Sequence, residues 1–105
     1  MAIVERRIFY GKVGKRHLLI AQMRELDGLF QQFRIPFKTR LMSDFNSGST
    51  DRIIFETEYD NPVDLEAAEA GGFSNPEAEQ TFSQWSAKLN DLILYAEVNH
   101  WQNQD

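Results

Sequence analysis

Cysteine is absent from all 105 residues, so disulfides, thiolate metal sites and a cysteine nucleophile are excluded. Proline is scarce, with three residues, and each punctuates the chain rather than stiffening a linker. No apolar run approaches transmembrane length. The opening MAIVERR carries charge where a signal peptide needs an apolar stretch. The expectation is a cytoplasmic protein with no membrane partner. Positive charge is also in short supply: 11 Lys and Arg stand against 16 Asp and Glu, for a net charge of −5. The basic residues are scattered, so the footprint expected of a nucleic-acid binder is missing. Histidine occurs twice, at His17 and His100, far apart and without carboxylates at ligand spacing. No metal and no cofactor are therefore expected.

What is present fits one domain over residues 1–105, large enough to build a core without staples. Ile3 to Tyr10 is rich in β-branched and aromatic residues and reads as a strand bounded by Gly11 and Gly14. One face holds Ile3, Glu5, Arg7 and Phe9, the other Val4, Arg6, Ile8 and Tyr10. Each face is mostly apolar with an arginine in it, which points to a strand covered on both sides. Lys15 to Phe33 carries Leu19, Met23, Leu26, Phe30 and Phe33 in one stripe, the period of an amphipathic helix, closed by Pro36. Phe37 to Asp44 and Arg52 to Tyr59 are strands joined by a loop of turn formers. In the second of them Ile53, Phe55, Thr57 and Tyr59 alternate with Ile54, Glu56 and Glu58.

Asn61-Pro62 and Asn75-Pro76 are two helix-start signals. The first opens a short helix, DLEAAEA, stopped by Gly71-Gly72. The second opens a longer one whose stripe is Ala78, Phe82, Trp85, Leu89, Leu92 and Ile93. Leu94 to Trp101 is a last strand, with Leu94, Ala96, Val98 and His100 on one face, towards the helices, opposite Tyr95, Glu97, Asn99 and Trp101. The order β-α-β-β-α-β, with right-handed crossovers, predicts an α+β, ferredoxin-like fold: a four-stranded antiparallel sheet with two long helices on one face. The other face is expected to carry Phe9, Tyr95, Trp101 and several apolar neighbours, and an exposed patch of that kind marks an interface. A second copy packed sheet to sheet, as a two-fold homodimer, is the expected partner.

The opening VERRIFYGKVGKRHLL resembles the start of the NIPSNAP-like branch of the dimeric α/β-barrel superfamily, at Glu5, Arg7, Gly14 and Lys15. The later NPEAEQTFSQW is similar to the segment in which a proline opens the second long helix there and in antibiotic-biosynthesis monooxygenases. The resemblance implies a homodimer whose two sheets form a barrel, with a pocket between each sheet and its helices or at the barrel mouth. It also implies a range of activities, from cofactor-independent monooxygenases and isomerases to haem-degrading enzymes, so fold does not set function. The haem-degrading members rely on an asparagine on the first strand, a tryptophan and a histidine. This first strand has no asparagine and Trp85 lies on a core stripe, so that chemistry is not expected.

The candidate site is read from the charged residues assigned to the inner sheet face, with Arg7 expected to face the dimer mate: Glu5, Arg7, Arg40, Glu56, Glu58 and Glu97. First and third strands are neighbours in this topology, so Arg7 can meet Glu56 or Glu58 across the ladder. Carboxylates with unequal neighbours can divide acid and base roles. The competing account is that these groups are ion pairs fixing strand register and dimer geometry. Arg7, His100 and Glu56 are the candidate catalytic residues; Arg7 would steady an enolate or carboxylate, and a glutamate or His100 would move the proton. Tyr10, Tyr59, Tyr95 and Trp101 are the candidate ligand-binding residues for a small hydrophobic or aromatic metabolite. His17 falls on the solvent side of its helix. GKVGK lacks the spacing and the hydroxyl residue of a phosphate loop and reads as a turn. A cofactor-independent oxygenase or isomerase is one expectation, and a non-catalytic ligand-binding or protein-interaction dimer the alternative.

Overall fold

A computed structural model describes residues 2–45, 48, 50–61, 63, 64, 66 and 75–105. Its elements run β1 (Ile3–Gly11), α1 (Arg16–Gln32), β2 (Lys38–Ser43), β3 (Arg52–Tyr59), α2 (Pro76–Asn90) and β4 (Ile93–Gln102). The four strands form one antiparallel sheet in the order β2-β3-β1-β4, the ferredoxin-like arrangement expected from the element order. The short helix predicted over 64–70 falls mostly outside the described residues. Among those described, no helix is long and apolar enough to cross a membrane.

The local chemistry explains where the helices start and stop. Asn75 caps α2, its side-chain oxygen accepting from the amides of Glu77 at 2.8 Å and Ala78 at 3.4 Å, with Pro76 entering the first turn. The helix ends at Asn90, so Leu92 and Ile93 lie beyond it, and Ile93 opens β4 instead of completing a helical stripe. α1 closes by a Schellman arrangement. The amide of Arg34 donates to the carbonyl of Gln31 at 3.2 Å, and that of Ile35 to Phe30 at 2.8 Å. The closing residue, Arg34, has φ 55, a left-handed conformation that usually selects glycine.

At the other end, β1 runs into the first turn at Gly11. A side chain there would approach Leu19 Cδ1 at 2.6 Å and the Asp51 carbonyl at 2.7 Å, so a hydrogen is all that fits. Gly14, at φ 79, turns the chain into α1, and its amide donates to Asp51 Oδ1 at 3.2 Å.

The core lies between the helices and one sheet face. α1 supplies Leu19, Met23, Leu26 and Phe30, α2 supplies Trp85 and Leu89, and the sheet supplies Phe9, Ile53 and Phe55. Leu19, Met23 and Ile53 are fully buried, each contributing about 1.5–3 kcal/mol relative to exposure. The helices are joined by a reciprocal pair of bonds. The Trp85 indole N–H donates to the Gln22 carbonyl at 2.7 Å, and the Gln22 side-chain amide donates to the Trp85 carbonyl at 2.9 Å. Gln22 is thereby a satisfied buried polar group.

Candidate functional site

Strand register aligns the polar residues of the helix-facing side. Glu5 on β1 lies directly opposite Thr57 on β3 and His100 on β4, and Thr57 in turn lies opposite Thr39 on β2. Directly paired residues share a face, so these four form a polar row across the whole sheet. Two residues along β1 comes Arg7, and two further Phe9, both on the helix side. Phe9 therefore lies in the core and not on the open sheet face, and Arg7 lines the helix-side cavity and does not face outward towards a second copy.

Along this row the contacts converge on Glu5. Arg7 Nη2 donates to Glu5 Oε1 at 2.9 Å, and the Thr57 hydroxyl donates to Oε2 at 3.2 Å. His100 Nε2 lies 3.6 Å from Oε1. Thr57 is buried, the Glu5 side chain is 23% exposed, and that of His100 is 61% exposed, so the row runs from interior to solvent. Thr39 instead donates to Asp27 of α1 at 2.7 Å.

Beside the row lies a cavity of about 450 Å³ between sheet and helices. Glu5, Arg7 and Thr57 line one part. Phe9, Phe55, Leu26, Phe30, Phe82, Trp85 and Leu89 supply an apolar and aromatic wall, with Ser86 and Asn90 of α2 at the boundary. A few polar groups on an apolar surface of this volume suit a small organic ligand. Among the described residues, no group of three or more His, Asp or Glu is placed to hold a metal ion.

The opposite sheet face is built differently. Arg6 Nε donates to Glu56 Oε2 at 2.7 Å. Tyr10 stacks on Tyr95 with ring centroids 4.3 Å apart, and the Arg52 guanidinium lies 5.9 Å from the Tyr10 ring centre. The Tyr95 phenol is raised above its ordinary value, first by partial burial and then by the charges of Tyr10 and Glu97. The Arg52 guanidinium is raised above its own, foremost by its hydrogen bond to Asp44. A second, shallow hollow of about 460 Å³ on this face is lined by Val4, Arg6, Arg40, Glu56, Glu58 and Trp101, among others.

Several groupings expected from the sequence are corrected by this register. Arg7 lies opposite Phe55, not Glu56, and it is Arg6 that meets Glu56. The cause is the period of two: neighbouring strand residues point to opposite faces. Glu56 therefore belongs to the face away from the cavity, with Glu58 and Arg40, while Glu5 and Arg7 line the cavity itself. The four aromatic candidates also separate. Tyr10, Tyr95 and Trp101 are on the face away from the helices, whereas Tyr59 packs against Phe37 at 5.8 Å on the helix side, and none of the four lines the cavity. His17 is exposed.

His100 is on the helix side beside Glu5, as strand alternation implied. The roles of Thr57, Phe82 and Trp85 in the cavity went unread, because a helical stripe does not distinguish a filled core from a cavity wall. The placement of Thr57 on the Phe55 face was legible in the alternation of β3; its alignment with Glu5 needed the register.

No family model and no curated protein sequence matches the chain. Its fold is nevertheless shared with solved structures. An uncharacterised NIPSNAP domain protein from Burkholderia xenovorans superposes with TM-score 0.71 at 16% identity, covering 96% of this chain and 93% of the other. A NIPSNAP family protein from Agrobacterium tumefaciens gives TM-score 0.70 at 21% identity, covering 100% and 95%. SnoaB, a cofactor-independent oxygenase from Streptomyces nogalater, gives 0.71 at 12% identity, covering 99% and 94%. At these identities the likeness is one of fold.

Proposed function

We propose, from a fold shared with NIPSNAP domain proteins and a cofactor-independent oxygenase, that this chain binds a small hydrophobic or aromatic metabolite between its sheet and helices. Its reaction class is that of a cofactor-independent oxygenase, with dioxygen as co-reactant, or an isomerase. The observation that carries this reading is the meeting of the Arg7–Glu5 pair with an aromatic wall in one cavity. Arg7 would steady negative charge developing on the ligand. His100, exposed and 3.6 Å from Glu5, would pass a proton to solvent. The aromatic wall would hold the ligand body and exclude water.

The assembly belongs to the same proposal. The sheet face away from the helices leaves Tyr95 and Trp101 more than half exposed beside the Arg6–Glu56 pair. Covering it with a second copy in a two-fold dimer would bury the rings and close the two sheets into a barrel. Sedimentation at micromolar concentration should give a dimer, and a monomer would overturn the assembly.

The function is tested by extracting small molecules from the purified protein and identifying them by mass spectrometry. An apolar or aromatic compound should co-purify and be converted on incubation with dioxygen, or isomerised without it. Arg7→Ala should lose conversion. Phe82→Trp, which narrows the cavity, should lose the compound. Unchanged retention in the folded Phe82→Trp protein would place the ligand elsewhere and sink the reading. A non-catalytic binding dimer is the second reading, favoured by the mutual satisfaction of Arg7, Glu5 and Thr57. It predicts a compound that is retained and released unaltered.

A further inference from the structure

We infer that Glu5 is the proton acceptor of this cavity and Thr57 its positioning residue, acting on an apolar or aromatic ligand that carries one acidic hydrogen. The inference rests on the ligand site proposed above and goes further by assigning its base. Glu5 is the carboxylate lining the cavity, whereas Glu56 faces away and is engaged by Arg6. The Thr57 hydroxyl holds one Glu5 oxygen at 3.2 Å from a buried position, fixing the carboxylate against rotation. Arg7 holds the other oxygen at 2.9 Å, and His100 approaches that same oxygen at 3.6 Å. The helices contribute Leu26, Phe30, Phe82, Trp85 and Leu89 with Ser86 and Asn90 to this cavity, none of them charged.

The charge of this cluster is conserved by the step it would perform. A ligand C–H or O–H bond breaks heterolytically, and the proton forms an O–H bond on Glu5. The electron pair stays on the ligand. Glu5 becomes neutral as the ligand becomes an anion, so the Arg7 guanidinium exchanges one negative partner for another within the same cavity. No charge is left without an opposite partner beside it, in a site where the Glu5 side chain is 23% and that of Arg7 47% exposed. His100 then offers the proton an exit, since its ring lies beside the Glu5 carboxylate and reaches solvent.

The test uses β-naphthol, an aromatic hydroxyl compound that becomes a strong acid on excitation. Its deprotonated form emits at longer wavelength than its neutral form, so the emission ratio of bound probe reports a proton acceptor within reach. Wild-type protein should bind the probe, seen as raised anisotropy, and shift its emission to the deprotonated form. Glu5→Gln should still bind it and lower the ratio roughly tenfold or more. Thr57→Val should lower it several-fold and Thr57→Ser restore it, a rescue that a purely structural threonine would not give in this readout. Glu56→Gln should leave the ratio unchanged.

Should Glu5→Gln fail to fold, the paired Arg7→Met, Glu5→Met variant removes the acceptor without leaving an unpaired charge and must show the same loss. Bound probe with the wild-type ratio in either variant overturns the assignment of Glu5 while leaving the ligand site intact. Failure of the wild-type protein to bind the probe removes support from the site and overturns the inference with it.

Discussion

Trp85→Phe tests the junction on which both the fold and the cavity depend. The indole N–H donates across the helix pair to the Gln22 carbonyl at 2.7 Å, and the ring is 8% exposed. Phenylalanine keeps an aromatic ring but loses the donor, which removes about 1 kcal/mol of net hydrogen-bond stabilisation. It also buries less surface, by about 40 Å² on the order-of-magnitude coefficient, a loss of about 1 kcal/mol. Incomplete collapse around the smaller ring adds up to about 1 kcal/mol. The expected loss is therefore about 2–3 kcal/mol, or roughly 10 °C in Tm for a chain of this size. Urea unfolding followed by far-ultraviolet circular dichroism measures it, at fixed protein concentration because dimerisation would contribute to stability.

Gln22→Met is the informative comparison. Its side chain donates to the Trp85 carbonyl, while Trp85 donates to the backbone carbonyl of Gln22, which the substitution leaves in place. Methionine replaces an amide by an apolar group of similar length, so the change should stay within about 1 kcal/mol. A Trp85→Phe loss below about 1 kcal/mol, or one smaller than that of Gln22→Met, would refute the reasoning.

Two further outcomes follow from the backbone and from the open sheet face. Arg34→Gly should raise the urea midpoint: relief of the left-handed conformation at φ 55 gains about 1–2 kcal/mol, offset by about 0.5–1 kcal/mol of glycine chain entropy. A lower midpoint would show that the arginine side chain outweighs its backbone. The raised Tyr95 phenol favours the neutral form in the folded chain, so its contribution is complete below the ordinary value of 10.0 and is lost as pH rises through the folded value. Stability should fall above about pH 10, and less steeply in Tyr95→Phe. Equal slopes in the two proteins would contradict that assignment.

Much of the architecture was legible because it follows from local rules. The stripe of α1, the Asn75-Pro76 start of α2 and the alternation of β3 each record a repeat or a cap that the backbone imposes. The end of α1 near Phe33 was legible from its stripe and from Pro36, but the left-handed closure at Arg34 was not, since arginine is an unfavourable occupant of that conformation. The Leu94 position was misleading for a related reason. A register shift carries the β1–β4 pairing from Tyr10↔Tyr95 to Gly11↔Ile93, so Leu94 has no direct partner in it and is largely exposed.

The site divides along the same line. By itself the sequence determined the element order, the two faces of β1, the grouping of Glu5 and Arg7 with Phe9, and the helix-facing side of His100. Each is a consequence of period, and period is written locally. Tertiary structure decided which carboxylate meets which arginine, that Thr57 and His100 flank Glu5, and that Phe82 and Trp85 wall a cavity beside that pair. Those are matters of register between strands distant in the chain and of the gap between helices and sheet. A slip of one residue exchanges the two faces of a strand, and nothing within a single strand records its alignment with its neighbour.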